Sequence, residues 1–316
     1  MTQFRPRRAV ASLGALVAAA AFALGGVSST TLGAHGGPAA RAAALATAQI
    51  KSEPGGASPT IVAPTVGVPG IDVSAYQHGV DWTKVRAAGA RFAYIKATEG
   101  VTYTNARLVE QYTGAARAGL VRGAFHFAKP NVSTGQAQAE FFVAAMASLG
   151  GARVDGATTL PALLDLEYDP YTASDGTDKC WGLTPDQMVT WIASFSDTIV
   201  AFTGRLPVLY TTTNWWMRCT ADSTAFSSNP LYLARYVTDA RSGPGALPAA
   251  WKHYTIWQYT NVGSRYALVT DGSPGDTAAS DEDVFRGSVA ELRALARSTF
   301  RASIGLTLPM VGVEPQ

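Results

Sequence analysis

Apolar residues in this chain form short continuous runs that alternate with longer stretches of helical periodicity. After residue 70 the runs are typical of strands that are buried on both faces, and their regular alternation with helices favours parallel pairing. The predicted strands are Gly70–Ser74, Phe92–Ala97, Gly123–Ala128, Leu160–Glu167, Pro207–Thr211, Leu231–Tyr236 and Tyr254–Tyr259. The predicted helices are Trp82–Ala88, Asn105–Ala118, Thr134–Leu149 and Pro185–Thr203.

So many strands within residues 70–288 fit a closed barrel better than an open sheet. We therefore predict an α/β fold with a single irregular β/α barrel that resembles a TIM barrel, with helices short or missing in the last third. The helix at Pro185–Thr203 has the clearest boundaries, because Thr184 precedes its first residue and Gly204 follows its last.

The N-terminal region differs from the barrel region in composition. Three arginines precede an Ala/Leu/Val-rich run within residues 1–48, which is typical of an export signal and too short for a spanning helix. Small residues fit cleavage near Ala34 or after Ala48, and the pair Arg7-Arg8 leaves the Sec and twin-arginine routes both open. We therefore expect a secreted protein with no membrane anchor after removal of this region.

The remaining chain divides into a linker, the barrel and a tail. Residues 49–69 are rich in Pro, Gly, Ser and Thr and are expected to be a linker, while residues 289–316 are expected to form a C-terminal helix and tail. The first 48 residues hold four of the 25 basic residues and none of the 23 acidic ones, so their removal leaves 21 against 23 and a net charge of −2. This balance does not favour nucleic acid as a partner, and we expect a monomer.

Cys180 and Cys219 are the two cysteines of the chain. In an exported protein an even pair predicts one disulfide, and two unrelated buried thiols remain the alternative. The bond would tie the loop after the fourth strand to the segment that contains Trp215. The three histidines beyond residue 48 have no zinc-like spacing with a cysteine, so neither a metal site nor a cofactor is predicted.

The fourth predicted strand ends in two carboxylates, Asp165 and Glu167. Residues two apart on a strand point to the same face, and a rise of about 3.3 Å per residue puts their backbones roughly 6.6 Å apart. Glycosidases place an acid and its partner carboxylate on this scale. Two acids on one face of an apolar strand repel each other, so a catalytic role explains them better than a structural one.

Polar and aromatic side chains also follow the other predicted strands, where barrels of this kind gather their chemistry. In chain order the further candidates are Asp72, Lys96, Glu99, Phe125, His126, Tyr210, Trp215, Trp257, Gln258, Tyr259 and Asp281. The aromatic members suit stacking on sugar faces, and we expect at least one to line the groove. Glu99 is expected to pair with Lys96 or to cap a helix, and His126 to be a buried, hydrogen-bonded side chain.

In their order and spacing these segments resemble the glycoside hydrolase family 25 lysozymes, the Chalaropsis-type muramidases. The resemblance runs from about Gly70 to Gly287. It is carried by Gly-Ile-Asp-Val-Ser at 70–74, Tyr-Ile-Lys-Ala-Thr-Glu-Gly at 94–100, Gly-Ala-Phe-His-Phe at 123–127, Leu-Asp-Leu-Glu at 164–167, Pro-Val-Leu-Tyr-Thr at 207–211 and Ile-Trp-Gln-Tyr at 256–259. Each motif is weak alone, but the ordered set is specific.

The resemblance implies an irregular β/α barrel with an acidic groove that binds peptidoglycan glycan strands and cuts the β-1,4 bond on the N-acetylmuramic acid side. The four acids of the family map onto Asp72, Asp165, Glu167 and Asp281. The family usually has an apolar residue before the last acid and Asn two residues after it, where this chain has Ser280 and Asp283. Asp283 therefore stays open as the fourth acid. Phe125 stands where the family often has Tyr.

Glu167 is the expected general acid, because clustered carboxylates raise its pKa and keep it protonated near neutral pH. Asp165 is expected to stay ionised, and either to stabilise the charged transition state or to hold the 2-acetamido group of the substrate. Asp72 and Asp281 would orient these two acids. The predicted spacing lies between the retaining and inverting ranges, so the stereochemistry stays open.

Two other functional classes stay open. The chain could bind cell-wall glycan without cutting it, or it could be a secreted glycosidase that acts on another amino-sugar polymer such as chitin. A Ser-His-Asp hydrolase is not supported, since the chain has no Gly-x-Ser-x-Gly motif.

Overall fold

The computed structural model describes residues 60–172, 178–266 and 280–299. The strands in these ranges are β1 (Val68–Val73), β2 (Phe92–Glu99), β3 (Tyr103–Thr104), β4 (Val121–Phe127), β5 (Leu163–Asp165), β6 (Val208–Thr211), β7 (Leu231–Ala234), β8 (Ile256–Gly263) and β9 (Ser280–Phe285). The α-helices are α1 (Trp82–Ala87), α2 (Leu108–Arg117), α3 (Gly135–Met146), α4 (Pro185–Thr203), α5 (Thr213–Thr220) and α6 (Val289–Arg297).

Eight of these strands close into a barrel, in the order β1, β2, β4, β5, β6, β7, β8, β9. Each neighbouring pair from β1 to β8 is parallel, whereas β9 runs antiparallel to both β8 and β1. β3 is a two-residue strand that pairs with the end of β2. The predicted α/β barrel is confirmed. The closing strand was not predicted, because acidic residues dominate Ser280–Phe285 and are rare in strands.

Most predicted element boundaries agree with the structure to within a few residues. α4 has the predicted limits, and Thr184 and Gln187 form a capping box at its start. β5 is shorter than predicted, so that Glu167 lies two residues beyond its end. After β7 only a 3-10 turn at Ala240–Ser242 precedes β8, in agreement with the expected loss of helices in the last third.

The structure describes the two ends of the barrel region only in part. The predicted export signal, residues 49–59 of the linker and residues 300–316 of the tail lie outside the described residues. The last part of the predicted linker is ordered against the barrel, since Val62 pairs with Thr238 and Ala240 through backbone hydrogen bonds of 2.9 Å. Within the described part of the chain, each helix is too short or too polar to cross a membrane.

Alternate residues of the strands point into the barrel. The half of the interior at the amino ends of the parallel strands, which we call the lower half, is packed with large apolar side chains. This lower barrel interior consists of Val68, Phe92, Tyr94, Val121, Leu160, Val208, Ile256 and Phe285, with Leu292 and Ala296 of α6 against its base. Gly123 leaves room for this packing, because a Cβ atom there would lie 2.3 Å from the Tyr94 ring. Gly70 stands in the same relation to Phe92, at 2.2 Å.

A buried arginine fastens α6 to the base of the barrel. The guanidinium of Arg205 donates to the backbone carbonyls of Thr159, Leu295 and Ala296 at 2.9, 3.0 and 3.1 Å. Two of these carbonyls lie in the last turn of α6, where the helix dipole favours a cation. Arg205 therefore satisfies the Ala296 carbonyl and adds to the hydrogen bonds that Ser298 donates to Leu295 O.

The outer faces of the strands pack against the helices in a second apolar layer. The predicted disulfide between Cys180 and Cys219 is confirmed, and it joins the segment after β5 to α5. His126 points into this outer layer, as expected for a structural histidine. Its ring nitrogens lie 2.8 Å from Thr98 Oγ1 and from Gln138 Oε1, and burial lowers its pKa to about 4.

Candidate active site

A cavity of about 260 Å³ opens where the parallel strands end. Its position is the one at which β/α barrels gather functional groups. Among the residues that line it are nine of the sequence-predicted site residues: Asp72, Lys96, Glu99, Phe125, Asp165, Glu167, Tyr210, Gln258 and Asp281.

Three predicted substrate-binding aromatics lie elsewhere, and their assignment to the groove is corrected by the structure. Gln258 points into the barrel, so its neighbours on β8, Trp257 and Tyr259, point outward and pack beside Val284. Trp215 is 1 % exposed in the layer between barrel and helices. None of the three lines the cavity described above.

The four predicted acids come together from three strands. Asp72 on β1 and Asp281 on β9 are direct partners across the antiparallel pair. Asp165 is the last residue of β5, and Glu167 follows it at the cavity wall. Asp283, the alternative fourth acid, is 1 % exposed and does not line the cavity, whereas Asp281 does.

The carboxylate of Asp72 accepts hydrogen bonds from two side chains of other strands. Gln258 Nε2 donates to its Oδ2 at 2.6 Å, and Tyr232 Oη donates to the same oxygen at 3.1 Å. Burial raises the pKa of Asp72 to about 6, although these hydrogen bonds lower it in part. Of the four predicted catalytic acids, Asp72 is therefore the one that the surrounding groups best support in its charged form.

A pair of tyrosines fixes the orientation of the amide that serves Asp72. Gln258 Oε1 accepts from Tyr210 Oη at 2.7 Å and from Tyr236 Oη at 2.8 Å, so its Nε2 is turned toward the carboxylate. Tyr232 and Tyr236 also line the cavity and were not predicted as site residues. Their spacing of four on a strand-like run places both on one face, and this signal could have identified them.

Burial is the largest cause of a raised pKa at the other three acids. It raises the pKa of Glu167 to about 7, with the charge of Asp72 adding to the effect. The pKa of Asp165 is well above its usual range through burial and the neighbouring Glu167, and that of Asp281 through burial and Asp72. This environment disfavours the ionised form of Asp165, and the expected ionisation of Asp165 stays a prediction. Four partly or fully desolvated carboxyls that line one cavity are not expected to be charged all at once, so the cluster retains protons near neutral pH.

Lys96 supplies positive charge beside the acids. Its Nζ lies 2.8 Å from Glu99 Oε2, which confirms the expected pair, and it lowers the pKa of both Asp165 and Glu167. Glu99 also accepts from Tyr171 Oη at 2.6 Å and lies 3.7 Å from Lys129. These partners lower the pKa of Glu99 against the effect of its burial, so it is held as a charged structural carboxylate.

Paired carboxyls with raised pKa values in a cleft at the strand ends of a β/α barrel are typical of glycoside hydrolases. The family model for glycosyl hydrolases family 25 matches residues 71–267. The chain belongs to this family, which confirms the resemblance found in the sequence.

Similar proteins agree with this assignment. The chain is 47% identical over 201 residues to an N,O-diacetylmuramidase of Chalaropsis sp. This match covers 62% of this chain and 89% of that protein. It is 42% identical over 238 residues to Lysozyme M1 of Streptomyces globisporus. This match covers 75% of this chain and 74% of that protein. A solved family GH25 lysozyme from Aspergillus fumigatus is 40% identical, with a TM-score of 0.64 over 74% of this chain and all of that one (100%).

Proposed function

We propose that this chain is a secreted muramidase that hydrolyses the β-1,4 bond between N-acetylmuramic acid and N-acetylglucosamine in peptidoglycan. Family membership and relatives named as muramidase and lysozyme at 42–47% identity support the substrate. The observation that carries the reaction is the pair Asp165 and Glu167, which lines one cavity at the strand ends together with Asp72 and Asp281.

Glu167 is the general acid in this proposal. It is only partly buried and lies beyond the end of β5, so its carboxyl can reach a glycosidic oxygen in the cavity. Asp165 is 7 % exposed and lies deeper. A pKa of about 7 keeps a large share of Glu167 protonated under mildly acidic to neutral conditions, as proton donation to the leaving oxygen requires.

Asp165 acts on the sugar that carries the new charge. The N–H of a bound 2-acetamido group would donate to Asp165, and such a bond favours the ionised carboxyl over the neutral one. The proton shared within the pair then stays on Glu167. Ionised Asp165 stabilises the oxocarbenium-like transition state or orients the acetamido oxygen toward the anomeric carbon. Asp72 and Asp281 position these groups from the opposite wall.

The test is digestion of purified Gram-positive peptidoglycan, with mass spectrometry of the products. Wild type should release fragments with muramic acid at the new reducing end, and Glu167→Gln should release none above background. Glu110→Gln is the matched control, since Glu110 is exposed on α2 and pairs only loosely with Arg107 at 3.2 Å. Glucosamine at the new reducing end would contradict the proposed bond, and binding without cleavage by wild type would favour a glycan-binding protein.

A comparison of substrates and products sharpens the proposal. Purified peptidoglycan should be cut in preference to chitin oligomers, and faster cleavage of chitin would assign a different polymer. NMR of the first product distinguishes the two roles of Asp165. Retention of the β anomer is expected from participation of the acetamido group, and direct β-to-α inversion would contradict it.

The proposed place of action is outside the cell. The composition of residues 1–48 supports export, and the disulfide Cys180–Cys219 suits an oxidising compartment. We further propose that the secreted form is a monomer whose partner is the glycan strand rather than nucleic acid. Fractionation of the producing cells and size-exclusion chromatography of the secreted protein test these two statements.

A further inference from the structure

Asp283 is a buried acid directly below the cavity. Its side chain is 1 % exposed, and within the described residues neither carboxyl oxygen has a hydrogen-bond partner. It lies on the inner face of β9, two residues from Asp281, opposite Gly70 of β1 and Gln258 of β8. An ionised carboxylate without donors is unfavourable in such a place, so the neutral carboxyl is the form that fits.

The titratable groups around Asp283 reinforce this conclusion. They come from β1, β7, β9 and the turn after β8, and they are Asp72, Tyr232, Asp281, Glu282 and Tyr266. Each is acidic or phenolic. Burial and the three neighbouring carboxylates raise the pKa of Asp283 well above its usual range, and the nearby Tyr232 hydroxyl opposes them only in part.

Tyr232 connects Asp283 to the active site. Its Oη donates to Asp72 Oδ2 at 3.1 Å. A phenol has one proton, so Tyr232 can donate to one carboxyl only, while its oxygen can accept from another. Protonated Asp283 is suited to be that second partner. Ionised Asp283 would instead compete with Asp72 for the single proton of Tyr232.

We propose that Asp283 is a positioning residue, whose protonated carboxyl donates to Tyr232 and so directs the Tyr232 proton onto Asp72. Asp283 does not line the cavity and has no contact with substrate in this account. The inference rests on the proposed hydrolase function, in which Asp72 helps to position Asp165 and Glu167. Loss of the Asp283 proton would weaken the hydrogen bond that keeps Asp72 charged and oriented.

The first test is the pH dependence of kcat/KM for wild type and Asp283→Asn, measured as reducing-end release from peptidoglycan. An asparagine amide can donate to Tyr232 at every pH. We expect Asp283→Asn to stay within about threefold of wild type at acidic pH and to lose activity less steeply as pH rises, since one ionisation is removed. Superimposable profiles, or a tenfold loss by the folded variant at acidic pH, would overturn the proposal.

A second test separates positioning from packing. Asp283→Leu removes the donor, and we expect it to lower kcat/KM at least tenfold in the wild-type background. In the Tyr232→Phe background the same substitution should lower kcat/KM by less than a further threefold. Equal losses in the two backgrounds would contradict the link through Tyr232. Glu110→Gln is the control, because Glu110 is exposed on α2 and is not among the groups that raise the pKa of Asp283. Its pH profile should match that of wild type.

Thermal unfolding tests the protonation of Asp283 without reference to catalysis. An acid whose pKa is higher in the folded than in the unfolded chain binds more protons when folded, so stability falls as pH rises from about 4 toward the folded pKa. The Tm of Asp283→Asn relative to wild type should therefore increase between pH 4 and pH 7, by about 3 °C or more. A constant Tm difference would show that Asp283 is ionised in the fold.

Failure of wild type to cleave peptidoglycan would instead contradict the proposed function and leave this result intact.

Discussion

The lower and upper halves of the barrel interior are formed by the same strands but have opposite chemistry. Below, Phe92, Tyr94 and Phe285 fill the space, and Arg205 with α6 closes the base. Above, the inward positions of the same strands carry carboxylates, an amide and tyrosine hydroxyls around an open cavity. A shift of two residues along β1, from Gly70 to Asp72, is enough to pass from one half to the other.

This difference shows how the fold separates stability from catalysis. Close packing below contributes to the free energy of folding through buried apolar area. Desolvation and mutual repulsion of the acids above raise the free energy of the folded state. The same two effects raise the pKa values of these acids. Substitutions in the upper half should therefore change activity most, and substitutions in the lower half should change stability most.

The largest expected effect is on the activity of the upper half. Glu167→Gln should lower kcat by about 10³-fold or more, because the amide cannot donate the proton that the leaving oxygen requires. Its Tm at pH 7 should equal or exceed that of wild type, since a carboxyl with a raised pKa is removed. Kinetics on peptidoglycan and calorimetry on the same sample measure both. Retained activity, or a large loss of stability, would break the comparison.

Gly123→Ala is the corresponding change in the lower half. The new Cβ would meet the Tyr94 ring at 2.3 Å, and overpacking of this kind costs about 1–3 kcal/mol. We expect a fall in Tm of about 3–10 °C with kcat near the wild-type value at 25 °C. Val109→Ala, at an exposed position of α2, serves as a control with little effect on Tm. An unchanged Tm for Gly123→Ala would argue against close packing around Tyr94.

The pH dependence of stability should belong to the upper half. Folded pKa values of about 6 for Asp72 and about 7 for Glu167 exceed the unfolded values of roughly 4, so both acids bind protons more tightly in the folded chain. Stability should fall from about pH 4 to pH 7, and Glu167→Gln should reduce this slope. Denaturant unfolding at a series of pH values measures it. A stability that rises over this range would place the acids in a different environment.

The smallest expected effects distinguish inward from outward aromatic residues. Tyr236→Phe removes the hydroxyl that donates to Gln258 at 2.8 Å, and a lost hydrogen bond of about 1 kcal/mol corresponds to roughly a fivefold fall in kcat/KM. Trp257→Phe changes only the outer face of β8, where the indole donates to Arg235 O at 2.8 Å. It should leave kcat/KM unchanged. A larger effect at Trp257 than at Tyr236 would reverse the assignment of the two faces.

The sequence predicted the barrel and the acid pair because both leave local patterns. Continuous apolar runs, the caps of α4 and the spacing of Asp165 and Glu167 are readable without tertiary contacts. β9 was missed, because its acidic residues are tolerated in a strand only through the barrel contacts that surround them. Trp257 and Tyr259 were assigned to the groove together with Gln258, although strand alternation allows only one side of that triplet to face inward.

The network around Asp72 could not be predicted from local sequence. Tyr232 lies 160 residues and Gln258 lies 186 residues from Asp72 along the chain, and only barrel closure brings them together. The burial that raises the pKa of Glu167 likewise depends on the whole fold. Sequence identified which groups have the chemistry, and the structure shows which of them are desolvated.

The central claim is that Glu167 retains its proton near neutral pH in the upper barrel. Carboxyl-carbon NMR of protein labelled with ¹³C at the glutamate side chains tests it directly, with Glu167→Gln used to assign the resonance. The Glu167 signal should titrate with a midpoint near pH 7, following its pKa of about 7. A midpoint near the ordinary value of about 4.3 would show an ionised carboxylate and contradict the assignment of Glu167 as the general acid.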